Sequence, residues 1–503
     1  MNTRKRLAAM RMARHAEPAT QVPANPACVI GPGQRCEHSL VNQDINQSLH
    51  EYEVAVSGRF SMIVETLREV SALQHESSFT QGAQAIAMAK LGYQLPARIL
   101  ADAWVSGLDL RSLYSHCVMR SFKITVDQAA RDQEALRQHT PLNQRFFLSC
   151  GYHTIDVSPC ADGRLQGALS FGFRFAPNDA VWVKAYAGAL FDVESDVCDW
   201  SQREIDRLSG AIPGGEQANY LKVAVYHFSS SKPVQQGCAA HGSCDSVAVQ
   251  SALERLVELQ SAIENRFGRG AAPDVLLIGV DTDTDAIRVH LPDELSQMSP
   301  HRYADSAVLY RDTLGMTAPA ARAAIDAAVS GAERTDGWGQ GEGVMQAGMR
   351  QLVMALLEAN LSQIEYVIQH HDGRYADIGH NERFICVGES LSEVQFRNMF
   401  YFAHLTTVED GAADVDIGVK IFTGLNVDRG LPIPVLVHFH YSSKLPGSRV
   451  RALARCRRVK NAIEARYQSL HQRGFLHCCT AVSDTEESER CTFIEDQAIE
   501  SGH

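Results

Sequence analysis

NYLKVAVYHFSSS, residues 219–231, is the stretch on which the architecture turns. An apolar run closes on His227 and gives way to three serines, the composition of a strand running into a loop. SALERLVELQSAIENRFG (251–268) follows with apolar residues at helical spacing, and then DVLLIGVDTDTDAIRVHLP (274–292), strand-like again. Strands alternating with helices from about residue 138 onward predict an α/β layer with a largely parallel sheet, whose loops at the strand C-terminal ends hold the site.

The same strand occurs twice. VAVYHFSSSK (223–232) lines up with VLVHFHYSSK (435–444) at an offset of 212, and the helices that follow, from 251 and from 451, line up at an offset of 200. Ala252, Leu253, Arg255, Ala262, Ile263, Glu264 and Arg266 all recur in the second helix. The offset falls by twelve, so the second copy lacks twelve residues between strand and helix, the segment around QQGCAAHGSCDS. Duplication of one α/β unit accounts for this, with one half active and the other supportive, packed as a pseudo-dimer.

The missing segment carries Cys238, eleven positions after His227. A third candidate, Cys160, lies in TIDVSPCADGRLQG (154–167), where an apolar run stops and Cys160, Asp162 and Arg164 alternate. In an extended segment all three side chains would share one face and reach one pocket. Cys160, His227 and Cys238 make three protein ligands with an open fourth position, the pattern of a catalytic rather than a structural zinc site. Each residue taken alone reads better as a buried thiol or a hydrogen-bonded core histidine. Phe439 stands at the aligned place of His227, however, and the Cys238 loop is gone from the same copy, so the two are lost together.

Composition sets the frame. The chain has 503 residues, 45% hydrophobic and 21% charged, enough for several domains with large cores. No apolar run approaches the length of a membrane span, and the basic start MNTRKRLAAMRMARH lacks the apolar core of a secretion signal, so an intracellular protein is expected. Thirteen cysteines, odd in number and including the adjacent pair Cys478 and Cys479, do not form a secreted disulfide framework. A net charge of −12 argues against general nucleic-acid binding. The expected divisions are a disordered basic arm (1–35), a helical domain (36–137), a zinc-binding α/β domain (138–375), a degenerate zinc-less α/β domain (376–482) and an acidic tail (483–503). In the helical domain, EYEVAVSGRFSMIVETLREVSALQH (51–75) and LPARILADAWVSG (95–107) carry the helical spacing. Asp281, Asp283 and Asp285 imitate the start of a calcium loop, but Ala286 and Pro292 stand where such a loop needs Gly and Glu, so they are expected to terminate a strand and make turn or salt-bridge contacts. GWGQGEG lacks a phosphate-loop setting and reads as the loop before a long helix starting near Val344.

The strings DVSPCADGRL, VAVYHFS, GCAAHGS, LLIGVDTDTDAIRVH, TDGWGQGEGV, NLSQIEYV and GLPIPVLVH together resemble the carboxysomal, shell-associated carbonic anhydrases, a divergent β-class branch, over residues 36 to 480. Ten residues separate His227 from Cys238, as in that branch, where ordinary β-class enzymes have a short His-x-x-Cys. The resemblance implies a β-carbonic-anhydrase core in an active and a degenerate copy behind an all-helical domain. It implies one Zn2+ per chain on Cys160, His227 and Cys238, and a zinc-bound hydroxide that attacks CO2. Asp162 would orient that hydroxide, and Arg164 would hold Asp162 in a bidentate pair and away from the metal. It further implies interconversion of bicarbonate and carbon dioxide inside the carboxysome to supply Rubisco, and homodimers or larger homo-oligomers. His380, in ADIGHNERF, is the candidate proton carrier, with a surface or capping histidine as the other reading; His153 and His241, nearer in sequence to the ligands, fit a proton carrier or a hydrogen-bonder to the ligands alike. The basic arm is expected to dock on Rubisco or a shell or scaffold protein, and an anionic metabolite is a candidate effector. The competing reading is a non-catalytic scaffold that keeps zinc for folding, its site closed by a fourth protein ligand such as Cys244 or His241.

Overall fold

The computed structural model describes residues 37–139, 142–175, 180–293, 297–330, 345–376, 382–391, 397–405, 408–486 and 491–494. The chain opens on helices α1 (Gln43–Ala72), α2 (Phe79–Leu91), α3 (Ala97–Ser106) and α4 (Leu110–His139). Asn42 starts α1 by accepting the Ile45 N–H through its side chain. Leu49, Val56, Phe60, Ile63, Leu67 and Val70 then line one buried stripe at the spacing a helix face demands. Phe122 of α4 is fully buried, its ring centroid 4.7 Å from that of Phe384 and 5.9 Å from that of Phe400, so this helical region closes over a sheet far along the sequence.

Two sheets follow. The first contains β1 (Tyr152–Pro159), β2 (Val181–Val183), β3 (Asn219–Phe228), β4 (Asp274–Asp281), β5 (Ile287–Pro292) and β6 (Met298–Asp305), ordered β2-β1-β3-β4-β5-β6. Its first four strands run parallel and its last two antiparallel. Helix α5 (Val193–Leu208) packs on it, and α6 (Asp245–Phe267) connects β3 to β4. Below the site the buried Lys222 ammonium donates to Asp156 and to Ser158, each at 2.8 Å, and pairs with Asp196 of α5, so the charges buried there are matched. Helices α7 (Ser306–Thr313), α8 (Ala318–Ser330) and α9 (Ala347–His370) lead to the second sheet. There α10 (Val408–Leu425) precedes β9, and α11 (Ser448–Arg466) connects β9 (Ile433–Tyr441) to β10 (Leu476–Asp484). With β7 (Phe384–Gly388), β8 (Phe400–His404) and β11 (Cys491–Phe493) the order is β11-β10-β9-β7-β8.

The two sheets share a plan. Reading β8-β7-β9-β10-β11 against β2-β1-β3-β4-β5, the first four strands are parallel and the fifth antiparallel in both, with a long helix crossing between the third and fourth. Pro159 pairs with Val225 and Val387 with Val437, and Val225 and Val437 are matched in the sequence repeat. That register sets Gly388 at the place of Cys160.

Two expectations change. The tail expected from residue 483 begins later: β10 runs to Asp484, and Cys491–Phe493 adds an antiparallel strand whose Cys491 and Phe493 are buried. Two apolar residues spaced for one strand face are enough to dock it, although the surrounding residues are charged. The long helix begins at Ala347, not near Val344, and the GWGQGEG stretch lies outside the described residues. His380 also lies outside them. Two of the three aspartates bond local backbone and the third a distant segment: Asp281 accepts the Ser230 and Asp283 N–H groups, Asp283 accepts the Ser231 N–H at 2.7 Å, and Asp285 accepts the Tyr375 hydroxyl at 2.9 Å and pairs with Arg397 at 3.5 Å. Among the described residues no helix is long and apolar enough to cross a membrane.

Candidate metal centre

Cys160 follows the last residue of β1, and its N–H donates to the Val225 carbonyl of β3 at 3.0 Å. The sheet therefore aims its side chain at the strand C-terminal edge. His227 comes from the same edge of β3, and Cys238 from the loop after it, where it opens a single turn at Ala239–His241. One ligand atom from each of these three residues lies within 4.8 Å of the others, and all three residues are buried. The sulfurs are 3.8 Å apart. Two thiolates on one tetrahedral zinc, with bonds of about 2.3 Å, are separated by roughly 3.8 Å. Among the described residues neither ring nitrogen of His227 has a hydrogen-bond partner, although the residue is only 1% exposed. An imidazole left that way costs stability unless something else satisfies it, and a cation between the three donors does. The residues fit zinc. The sulfurs also split as a pair sharing one proton: the Cys238 hydrogen bond, then burial, holds Cys160 well above the usual thiol range, while the same bond lowers Cys238.

Asp162 and Arg164 reach this pocket by a route that differs from the expected extended alternation. The chain leaves the strand line after Cys160, and Asp162 caps a tight turn at Gly163–Leu165, its Oδ1 accepting the Arg164 N–H at 3.0 Å. A short carboxylate competing for nearby backbone N–H groups makes such turns. The turn swings Arg164 back over Asp162. Nε donates to Oδ1 at 2.9 Å and Nη2 to Oδ2 at 2.7 Å, a two-pronged pair with both residues buried. The guanidinium is anchored behind by Nη1 donating to Gln236 O at 3.0 Å and Thr282 Oγ1 at 3.2 Å. Asp162 Oδ2 lies 3.5 Å from His227 Nε2, so the carboxylate borders the metal position.

The surrounding histidines divide. His241 Nε2 donates to the Gly188 carbonyl at 3.0 Å, and the Gly188 N–H donates to Cys160 Sγ at 3.3 Å, so His241 supports a ligand through one intervening residue. Gly188 has φ +70°, and a Cβ there would lie 2.5 Å from the His241 ring. His153 stands at the opposite end of β1, bonded to Thr154 and Glu204, and touches no ligand; its nearness in sequence misled because a strand carries its two ends far apart. Cys244 caps α6 and contacts Ser246 at 3.4 Å, outside the donor set. Sequence reasoning missed Gly188, Gln236 and Thr282, and it missed three contacts from the second sheet. Glu382 accepts the Gly163 N–H at 3.0 Å, Asn398 donates its N–H to Gly163 O at 2.8 Å, and Phe402 donates its N–H to Ala161 O at 3.1 Å. Two of these three are backbone to backbone and leave no side-chain signal to find.

Family models described as Carboxysome Shell Carbonic Anhydrase match in three consecutive pieces: N-terminal over residues 38–130, catalytic domain over 142–380, and C-terminal over 381–498. The carboxysome shell carbonic anhydrase of Halothiobacillus neapolitanus is 43% identical over 456 residues, covering 90% of this chain and 89% of its own length. The chain belongs to the carboxysome shell carbonic anhydrase family. A carboxysome shell carbonic anhydrase from Parasynechococcus marenigrum is 45% identical over 462 residues, covering 90% of this chain and 78% of its own. One from Hydrogenovibrio crunogenus is 38% identical over 455 residues, covering 89% and 84%. The family's catalytic-domain model spans all three sulfur and imidazole donors and the Asp162–Arg164 pair; its C-terminal model spans the second sheet.

Proposed function

We propose that this protein is a zinc carbonic anhydrase that interconverts bicarbonate and carbon dioxide inside the carboxysome, so supplying Rubisco with its gas substrate. The observation that carries the reading is a buried Cys160–His227–Cys238 donor set bordered by a carboxylate that an arginine grips with two hydrogen bonds. Zinc in that cradle supplies a Lewis acid that makes hydroxide available as a nucleophile near neutral pH. Asp162 accepts a hydrogen bond from the attacking oxygen and turns its lone pair toward carbon dioxide. Arg164 engages both carboxylate oxygens and so restrains Asp162 from rotating onto the metal position. Burial of the pair keeps bulk water from competing for these bonds. His380 takes up the proton released in each turnover. Stopped-flow carbon dioxide hydration on protein of measured zinc content tests the reading: activity proportional to zinc supports it, and a zinc-replete protein without activity ends it.

The scaffold alternative needs a fourth protein ligand. His241 is engaged with Gly188 and Cys244 with Ser246, and among the described residues the donor group has three members, which favours an open position. We also read the second sheet as a degenerate copy of the first. The shared strand plan supports this, as do Gly388 at the place of Cys160 and Phe439 at that of His227, the latter ring covered by the Arg455 guanidinium at 4.0 Å. Assembly into homodimers or larger homo-oligomers, docking of residues 1–35 on Rubisco or a shell or scaffold protein, and control by an anionic metabolite complete the proposal.

A further inference from the structure

We propose that Glu382, contributed by the second-sheet unit, is a positioning residue for the Asp162–Arg164 pair and that the reaction site is incomplete without it; this rests on the role given to that pair above. Gly163 is the peptide between the two functional side chains. Its N–H donates to Glu382 Oε1 at 3.0 Å, its carbonyl accepts the Asn398 N–H at 2.8 Å, and the carbonyl of Ala161 just before accepts the Phe402 N–H at 3.1 Å. The backbone that carries Asp162 and Arg164 is thus fixed on both sides by groups from outside the first sheet.

The contact is close as well as polar. Glu382 is 4% exposed, and a Cβ on Gly163 would lie 2.2 Å from Glu382 Cγ, so only glycine admits the carboxylate here. If the N–H at the middle of a tight turn lost its acceptor it would be a buried donor with no partner, and the turn would relax to satisfy it. Relaxation tips the Arg164 guanidinium off Asp162, because both hang from that turn. The charge of Glu382 acts in the same direction: against burial, Asp162 first and Glu382 after it hold Arg164 firmly protonated. Glu382 is outside the metal donor set and acts on the pair through Gly163 and the field at Arg164.

A double-mutant cycle on the full-length, zinc-loaded protein tests this, using Gly163→Ala, Glu382→Ala and their combination, with Glu382→Gln and Asp162→Asn alongside. Zinc per chain, kcat and KM, melting temperature, and the visible spectrum of Co(II)-substituted protein are measured for each. Glu382→Ala is expected to retain one zinc, to lose kcat roughly ten- to a hundredfold at little change in KM, and to shift the Co(II) spectrum as Asp162 nears the metal. Glu382→Gln keeps an oxygen for the Gly163 N–H and recovers most of the kcat. Gly163→Ala impairs the parent but adds nothing to Glu382→Ala, where the colliding side chain is gone. Wild-type kcat and spectrum in Glu382→Ala, additive losses in the cycle, or Glu382→Gln as impaired as Glu382→Ala would each overturn the proposal. An inactive Asp162→Asn in the same series confines that failure to Glu382; a fully active one brings down the reading of the pair itself.

Discussion

Residues far apart in the chain make the site, and their chemistry fixes what each substitution should do. Asp162→Asn keeps the three donors and so keeps zinc, but one amide nitrogen replaces an acceptor oxygen; we expect hydration to fall by about a hundredfold or more, measured by stopped flow on protein of known metal content. Arg164→Ala removes both prongs that restrain Asp162. The freed carboxylate then competes for the metal, and a Co(II) spectrum unchanged from the parent would contradict this. If His380 carries protons, His380→Ala slows turnover and added imidazole restores it; failure of the rescue removes that role. His227 and Cys238 stood out in the sequence because the repeat supplied an internal control, a strand with phenylalanine where the other has histidine and a connection twelve residues shorter, and Cys160 stood out by its alternation with Asp162 and Arg164; the structure brings the three together as a possible metal-binding group. Arg164 was legible as a partner for Asp162 but not in its geometry, since a strand rule cannot foresee that an aspartate will cap a turn.

Elements explain the rest of what composition could and could not announce. The helices and the alternating strands were readable from apolar spacing, but the edge strand Cys491–Phe493 was hidden in acidic sequence, because three residues give too short a pattern to stand out. At this scale Phe122 of α4 is informative, wedged against Phe384 and Phe400. Phe122→Ala should cost about 3–5 kcal/mol, read as a lower denaturation midpoint, with the metal donors untouched. Helix α10 offers a pH test. Burial pushes the Asp414 carboxyl up to about 6, while the Ala187 N–H beside it pulls the other way. A folded pKa above the unfolded value near 3.8 means the native state binds more protons. The penalty is therefore full above pH 6 and fades as the pH falls from 6 toward 4. Asp414→Asn should stabilise the protein by about 2 kcal/mol at pH 8 and by much less at pH 4; melting curves at the two values decide it.

On the scale of the whole molecule, three family segments act as one body. The helical region covers the second sheet through Phe122, and the second sheet holds the loop that carries Asp162 and Arg164. This joining was not visible in the sequence, where the second unit shows only its repeat of the first strand and helix. Deleting residues 1–35 should leave zinc content and hydration intact while ending co-sedimentation with Rubisco or shell proteins; retained co-sedimentation would remove the arm from that role. The Gly163–Glu382 contact also bears on how such chains drift apart. A methyl group gained at one position is tolerable only if bulk is surrendered at the other, so substitutions at 161–163 and at 382–402 should be correlated across lineages. Chimeras that join the front of one lineage's enzyme to the back of another's should fail at this seam, unless both edges are exchanged together.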